Sequence, residues 1–361
     1  MANILDYVKW RGELDMKKAP FNEVDNLILS RIAYFPFDNI IQKEEKKTIK
    51  EAYDEFKQLD VKKENILQKE DLDLFPALAK SKRFGNLYIA DYINKIDDEE
   101  EKQFSAITIF LPDKTMYVSF RGTDNTMIGW KEDFNMSFKD IVYSQLDSVD
   151  YLEYIGGKYK CKIRVGGHSK GGNLAIYSAS FCNENIQNKI IEVYNNDGPG
   201  FNDNLICKEE YKKIINKIHT FVPQSSIVGR LLNHEEKYIV VKSSQVGILQ
   251  HDLYTWQLMG PQFLYVDGVT DGSEIVDRTL KQWVKEVDSK QREELVEIMY
   301  KVISATKART TVEFSNKWFE NVKIALKSYN NIDKKSKKII FNSLGSLLNI
   351  AKDNMLKKNK K

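Results

Sequence analysis

The sequence has little of what marks a secreted, membrane-embedded or metal-dependent protein. It contains three cysteines, Cys161, Cys182 and Cys207, and no Cys-x-x-Cys motif, a usage that favours a reducing compartment. Its apolar runs fall short of the roughly 18 residues of a membrane-spanning helix, so no transmembrane segment is predicted. Charges also interrupt the first residues, where a signal peptide needs an apolar stretch. We therefore expect a cytoplasmic protein.

Histidine is scarce, and metal-ligand spacing is lacking. The chain has four histidines, and they form no His-Glu-x-x-His motif or comparable cluster. A metal-dependent enzyme is therefore the weaker interpretation. We expect no metal and no cofactor.

A strong charge of either sign is also missing. Lys and Arg number 55 against 52 Asp and Glu, and a net charge of +3 gives no reason to expect nucleic-acid binding. The local surplus predicts a solvated helix end or tail, with peripheral contact to an anionic membrane surface as the alternative. It lies in Lys334, Lys335, Lys337 and Lys338, and in Lys357, Lys358, Lys360 and Lys361.

The spacing of apolar residues divides the chain into three predicted regions. Residues 1–84 are predicted to form an N-terminal helical segment, in which Asn22 caps the helix that contains Val24 and Ile32, and helical spacing continues to about residue 100. Residues 85–264 alternate strands and helices, which predicts an α/β core with a mostly parallel sheet and helices on both faces. Residues 265–361 predict several amphipathic helices. The predicted strands are 106–111, 116–120, 161–165, 190–194, 219–222 and 238–242, and a helix is predicted at about 143–159.

The most informative motif is Gly167-His168-Ser169-Lys170-Gly171. It follows a strand-like run and precedes a helical one, as a Gly-x-Ser-x-Gly nucleophile elbow does. Gly167 and Gly171 stand where the strand and the helix nearly collide, so that the turn can expose the hydroxyl of Ser169. A glycine-rich turn with an incidental serine is the alternative. A phosphate-binding loop is disfavoured because Gly172 and Asn173 occupy the positions of its Lys and Ser or Thr.

A serine hydroxyl needs a base, and histidine titrates near neutral pH. His168 adjoins the serine but its backbone position directs its ring away, so a packing role is favoured. His219 opens a predicted strand and is expected to be buried, whereas His234 lies in a charged loop and is expected to be solvated. His251 remains, just beyond the last predicted strand, and the order of nucleophile first and histidine last is that of α/β-hydrolases. We therefore assign the base to His251.

The acid and the oxyanion donors are placed by position in the sheet. Asp197 follows the predicted strand 190–194, where a carboxylate could orient the base, although Asp-Gly-Pro-Gly is also a turn sequence. Asp252, or a dyad without an acid, is the alternative. The amide of Lys170 is one expected oxyanion donor, and Thr123, after the strand 116–120, could supply a second through its amide or hydroxyl.

Three segments together resemble the class three, fungal-type lipases of the α/β-hydrolase superfamily. They are Phe120-Arg121-Gly122-Thr123, Gly129-Trp130-Lys131-Glu132-Asp133-Phe134 and the elbow, and the resemblance covers about residues 85–260. It implies an oxyanion role for Thr123 and a lid around Trp130. The flanks, the Asn-Asp-Gly-Pro-Gly-Phe segment and the Gln-His-Asp segment look more like a bacterial Mbeg-like branch of lipase relatives.

Two features depart from that lipase pattern. The class places its acid after the next strand, where this chain has Pro223-Gln224-Ser225-Ser226 and no carboxylate, and Lys170 replaces a hydrophobic residue.

The motifs and the resemblance together predict a serine hydrolase of carboxylic esters, of the lipase, phospholipase or esterase type, with an ester or lipid as its substrate. The alternative is a catalytically inactive adaptor of the same fold that binds a partner.

Overall fold

The computed structural model describes residues 2–42, 44–59, 66–124, 126–136, 138–308 and 317–358. They group into two compact units. The first comprises Met1–Lys95, Phe104–Gly122 and Ser144–Val269, and the second comprises Ile96–Gln103, Thr123–Tyr143 and Thr270–Lys361. The predicted N-terminal segment thus shares a unit with most of the strands.

Helices and strands alternate through the first unit, and helices fill most of the second. The helices are α1 (Ile4–Arg11), α2 (Glu23–Ile32), α3 (Ile49–Phe56), α4 (Asp71–Lys80), α5 (Met127–Asn135), α6 (Tyr143–Lys158), α7 (Lys170–Phe181), α8 (Glu184–Gln187), α9 (Asp203–Ile206), α10 (Glu209–Ile214), α11 (Asp271–Glu286), α12 (Ser289–Ser304), α13 (Trp318–Asn331) and α14 (Lys334–Lys358). Short 3-10 helices lie at Ile215–Lys217, Val228–Arg230, Gly247–His251 and Leu253–Thr255.

Eight strands form one sheet in the order of the chain. They are β1 (Lys46–Thr48), β2 (Tyr88–Asp97), β3 (Lys102–Phe110), β4 (Met116–Phe120), β5 (Ile163–His168), β6 (Ile190–Asn196), β7 (Ile218–Pro223) and β8 (Tyr238–Val241), and β9 (Leu258–Met259) pairs separately with β10 (Gln262–Phe263). Strands β4 to β8 pair in parallel, whereas β3 and β4 are antiparallel, with Ala106 opposite Phe120. The prediction of a mixed α/β fold with a mostly parallel sheet is confirmed.

The sequential strand order explains why the N-terminal helices are needed. Crossovers between parallel strands have one hand, so strands added always on the same side place their connecting helices on one face. Here α6, α7 and α10 pack with Val118, Val165 and Val193 on that face. The other face, which carries Tyr117 and Tyr194, packs instead with α1, α2 and α4. Residues 1–84 therefore complete the core of the sheet.

The prediction of helix up to about residue 100 is wrong for β1 and β2. Asp91 has a positive φ of 54°, and Ile89, Ala90 and Asp91 are buried in succession, so β2 lacks the alternation by which a strand is recognised. Strand β1 has only three residues and pairs with β2 from Lys46 opposite Ala90. Neither strand has a local signal strong enough to outweigh the helical spacing around it.

The helices predicted in the C-terminal region are confirmed as α11, α12, α13 and α14. Within the described residues, no helix combines the length and the apolar character that crossing a bilayer requires. The division into regions 1–84, 85–264 and 265–361 stays a prediction.

A buried polar network fastens α2 to the centre of the sheet. Asn26 donates from its side-chain amide to the side chain of Asn196 on β6, over 2.9 Å. Asn196 in turn donates to the Gly167 carbonyl and the Ser30 hydroxyl, each over 3.1 Å. Tyr117 adds a 2.7 Å bond to Asn26. Polar groups buried this way are stabilising only while their bonds are complete.

We expect Asn196→Ala to lower the free energy of unfolding by about 1–3 kcal/mol, since it removes a hydrogen bond from each of its buried partners Asn26 and Ser30 on α2. Asn188→Ala, an exposed matched change, should cost less than about 0.5 kcal/mol. Urea denaturation followed by far-UV circular dichroism measures both. Equal effects of the two variants would show that the network does not hold α2 in place.

Candidate functional site

Ser169 lies on a strained turn between β5 and α7. Its backbone has φ 58° and ψ −134°, a combination that residues other than glycine rarely adopt. The Ser169 amide donates to the Asn196 carbonyl over 3.0 Å, and the Ser169 carbonyl accepts from the Gly172 amide over 2.9 Å. Ser169 is partly accessible, whereas His168 and Lys170 are buried. The turn therefore presents one side chain out of a buried segment.

The surrounding glycines make this turn sterically feasible. A Cβ on Gly171 would overlap the carbonyl oxygen of Phe120, and one on Gly167 would lie 2.6 Å from the same atom. A Cβ on Gly122 would overlap the Tyr34 hydroxyl and lie 3.0 Å from the Cβ of Ser169. The ends of β4 and β5 thus approach the start of α7 more closely than side chains allow.

Asp197 directly follows β6 and also has a positive φ, of 54°. Its amide donates to the Phe221 carbonyl over 2.8 Å, and its side chain is buried. One carboxylate oxygen, Oδ1, accepts from the Ser226 hydroxyl and, over 3.2 Å, from the Gly229 amide. The other, Oδ2, lies 2.7 Å from Nδ1 of His251. Asp197 and His251 are therefore brought together although 54 positions separate them.

Ser226 was missed by sequence reasoning. It lies in the segment after β7 in which the resemblance to lipases predicted a carboxylate, and its hydroxyl instead donates to the carboxylate that follows β6. Serine is common in loops, where it often makes local hydrogen bonds, so its presence in the sequence does not predict this contact with Asp197.

His251 ends the 3-10 helix Gly247–His251, and its ring lies against that of His168 at a tilt of 32°, with 4.6 Å between centroids. Because Nδ1 bonds to Asp197, the nitrogen that could exchange a proton with another group is Nε2. The His251 side chain is 24% exposed, so the ring is reachable from solvent. The neighbouring ring belongs to His168, which directly precedes Ser169 in the chain.

Asp252 lies beside His251 in the chain but has a different partner. Its carboxylate accepts from the Tyr254 amide over 3.0 Å and caps the 3-10 helix Leu253–Thr255. Burial raises the pKa of Asp252. In the structure the carboxylate that contacts His251 Nδ1 is that of Asp197.

A buried ion pair anchors the loop that carries His251. Arg31 on α2 makes a two-pronged contact with Asp71 on α4, and Tyr254 donates to the same carboxylate over 2.7 Å. The Arg31 guanidinium also lies 4.4 Å from the ring centre of Tyr34 and 5.6 Å from that of Tyr254. Helices α2 and α4 thus help to fix the position of the loop that contains His251.

His168 connects this loop to the turn at Gly122. Its Nε2 lies 2.7 Å from the His251 carbonyl, which can only accept, so Nε2 carries the hydrogen. Burial, followed by the nearby His251, lowers the pKa of His168 well below its usual value, and the ring is therefore neutral. Its Nδ1 lies 3.2 Å from the Tyr34 hydroxyl, which accepts from the Gly122 amide over 3.1 Å.

The predictions for the other two histidines are wrong. His219 was expected to be buried, but its side chain is 41% exposed and stacks on Tyr194 with centroids 5.1 Å apart. His234 was expected to be solvated, but it is largely buried and its Nδ1 lies 2.9 Å from Glu236. Burial alone would raise the pKa of Glu236, but hydrogen bonds from His234, Tyr211 and Thr220 lower it to about 2. The charged residues next to His234 in the sequence suggested a solvated loop. Tyr211 and Thr220, which bond to Glu236 in the structure, are distant in the sequence and gave no signal.

The remaining candidates differ in their setting. The Lys170 amide follows Ser169 at the first residue of α7, as predicted from the motif. Thr123 belongs to the second unit, where its hydroxyl donates to the Asp133 carboxylate, 2.7 and 2.6 Å from the two oxygens. A hydroxyl has one proton, so in this arrangement the donor that Thr123 could offer elsewhere is its amide. Trp130 is on α5 and 48% exposed, and its lid role stays a prediction.

Metal ligation has no support among the residues that the structure describes. No three or more of their His, Cys, Asp and Glu side chains come together in a way that could hold an ion.

We expect His168→Gln to reduce the acid sensitivity of folding. The unfolded histidine gains a proton near pH 6.5 while the folded one resists it, so stability is lost as pH falls through and below that value. Between about pH 7.5 and 5.5 the variant should lose up to about 1.4 kcal/mol less than the parent in urea unfolding. His219→Gln, at a half-exposed ring, is the matched control. Identical pH profiles for parent and His168→Gln would contradict this explanation.

Comparison with known proteins identifies a family. No curated protein matches the chain. A family model described as Mbeg1-like matches residues 78–301, which is more than half of the 361 residues and includes Ser169, Asp197 and His251. The chain therefore belongs to the Mbeg1-like family.

Proposed function

We propose that this protein is a serine hydrolase that cleaves carboxylic esters through an acyl-enzyme on Ser169. The observation that carries the proposal is the 2.7 Å contact between His251 Nδ1 and Asp197 Oδ2, together with a strained turn at Ser169 whose neighbour His168 lies against the His251 ring. Strain is retained in proteins mainly where it positions a functional group, and a histidine with one nitrogen fixed by a carboxylate is the usual base for a serine.

The proposed reaction has two steps, formation of an acyl-enzyme and its hydrolysis, and Ser169, His251 and Asp197 take part in both. Ser169 Oγ attacks the ester carbonyl carbon while His251 Nε2 takes its proton, and the proton then passes to the departing alcohol. Water then attacks the acyl carbon of the acyl-enzyme while His251 takes a proton from the water. The proton passes to Ser169 Oγ as the carboxylic acid product is released and the free serine is restored. Asp197 keeps the hydrogen of the neutral ring on Nδ1 and stabilises the imidazolium that forms.

Two backbone amides are proposed as oxyanion donors. The Lys170 amide opens α7, a helix of 12 residues, and the N-terminal end of a helix carries a partial positive charge that favours a developing oxyanion. The Thr123 amide is the second, because the Thr123 hydroxyl is occupied by Asp133. Donors that are fixed before the reaction stabilise the developing charge without rearrangement.

The α/β-hydrolase arrangement is part of this proposal. Candidate nucleophile, acid and base follow β5, β6 and β8 in that order along the chain, and the carboxyl ends of parallel strands meet at one edge of a sheet. Fungal-type lipases place the acid one strand later. Here Ser226 stands after β7 and donates to Asp197, which supports an acid after β6.

A lipid ester is the proposed substrate class. Lys170 differs from the apolar residue of the lipase pattern, and a cation beside an acyl chain would disfavour lipids. The Lys170 side chain is only 1% exposed, so its charge is not presented at the accessible surface of the turn. An acylglycerol or phospholipid therefore remains compatible with the site.

The alternative of an inactive adaptor rested on the absence of a carboxylate after β7. Asp197 supplies a buried carboxylate to His251 from β6 instead. The adaptor therefore loses the observation that favoured it.

Ester cleavage by paired aspartate variants tests the assignment of roles. We expect Asp197→Asn to lower kcat for p-nitrophenyl butyrate by about 10⁴-fold, because the amide disfavours the required ring tautomer. Asp252→Asn is the matched control. Its amide oxygen can still cap the 3-10 helix, so kcat should stay within about threefold of the parent.

Ser169→Ala completes the set, since alanine keeps the Cβ and the backbone strain while removing the hydroxyl. Its activity should fall to background. Equal losses in the two aspartate variants would contradict the role of Asp197. A parent enzyme that cleaves no p-nitrophenyl ester from acetate to palmitate would contradict the proposed function itself.

A further inference from the structure

The long C-terminal helix α14 exposes an apolar stripe. Phe341, Leu344, Leu348 and Met355 recur at steps of three, four and seven residues and share one side of the helix. They are between 49% and 77% exposed, with Phe341 the most exposed. A single exposed leucine would need no explanation, but an aligned set on one helix marks an interaction surface.

The other side of α14 already satisfies the packing of the second unit. Ser343, Ile350 and Asn354 are buried there. The Trp283 indole of α11 donates to the Ser343 carbonyl over 3.0 Å, and Asn354 donates to Thr279 over 3.2 Å. One side of α14 therefore packs within the second unit, while the apolar stripe lies exposed on the opposite side.

Lysines flank the apolar stripe on the same side. Lys334 and Lys338 precede Phe341 by seven and three residues, and Lys352 lies between Leu348 and Met355. All three are exposed, and Asp353 is the one acidic residue in the sequence of α14. Of the predicted cluster at the chain end, Lys360 and Lys361 lie outside the described residues.

The preceding helix α13 has the same composition on its exposed side. Phe319 is 88% exposed and Leu326 57% exposed, seven residues apart. Lys323 and Lys327 are exposed between and after them. Two successive helices thus combine exposed apolar groups with lysines.

We propose that the outer face of α14, defined by Lys334, Lys338, Phe341, Leu344, Leu348, Lys352 and Met355, docks on an anionic lipid surface. Apolar groups enter the boundary between headgroups and acyl chains while lysines contact anionic headgroups, so the helix lies in the plane of the membrane. Self-association through this face is disfavoured because it would bring lysines of two copies together. The inference is independent of the proposed ester hydrolysis.

Co-sedimentation of the full chain with vesicles tests the proposal. The parent should bind phosphatidylcholine–phosphatidylglycerol vesicles and bind pure phosphatidylcholine vesicles at least about tenfold more weakly. Lys334→Gln with Lys338→Gln should weaken binding to the anionic vesicles by about fivefold for each lysine removed. Phe341→Ser with Leu348→Ser should weaken it by at least about tenfold.

Matched controls use exposed residues of the first unit, Lys17→Gln with Lys18→Gln, and Trp10→Ser, all with binding expected to stay within about twofold of the parent. Circular dichroism establishes that each variant is folded, and Ser169→Ala should bind vesicles as the parent does, which separates docking from hydrolysis. Equal binding to neutral and anionic vesicles would overturn the proposal. So would a dimer in sedimentation velocity that both α14 double variants dissociate.

Discussion

The positive φ of Ser169 is the constraint on which the rest of the site depends. A side chain in that region of backbone space is unfavourable by about 1–3 kcal/mol unless its surroundings hold it there. They do so through the Asn196 carbonyl on one side and the Gly172 amide on the other. Glycine at 167 and 171 lets the strand, the turn and the helix come together. A relaxed turn would leave the hydroxyl in a different place relative to the loop of His251.

The N-terminal helices support the candidate site as much as the sheet does. Sequential parallel strands place their connecting helices on one face, so the other face needs cover from elsewhere in the chain. Helix α2 provides it and, through Asn26, reaches the network beneath the serine turn. Arg31 and Asp71 then hold Tyr254, three residues beyond His251. The N-terminal segment thus packs the core and fixes the candidate base through the same helices.

The sequence predicts the features that neighbouring residues form, but it does not determine contacts between residues that are far apart in the chain. The serine turn could be predicted because its glycines, strand and helix are neighbours in the chain, and His251 followed from its place after the last strand. The pairing of Asp197 with His251 depends on how β6 and the loop after β8 meet, so Asp252 remained an alternative until the contact was seen. Strand β2 was missed because Asp91 breaks its alternation. His234 was misplaced because Glu236 is enclosed by residues as distant as Tyr211 and Thr220.

The proposed function requires that the surroundings of Ser169 chemically activate its hydroxyl. Fluorophosphonates react with activated serines and leave a stable phosphonyl group on the oxygen. Tandem mass spectrometry of the folded parent, incubated with a fluorophosphonate and digested, measures which residue carries that group. We expect near-stoichiometric modification at Ser169 that disappears when the protein is first denatured in urea. An unmodified Ser169 in folded protein, or modification spread equally over other serines, would contradict it.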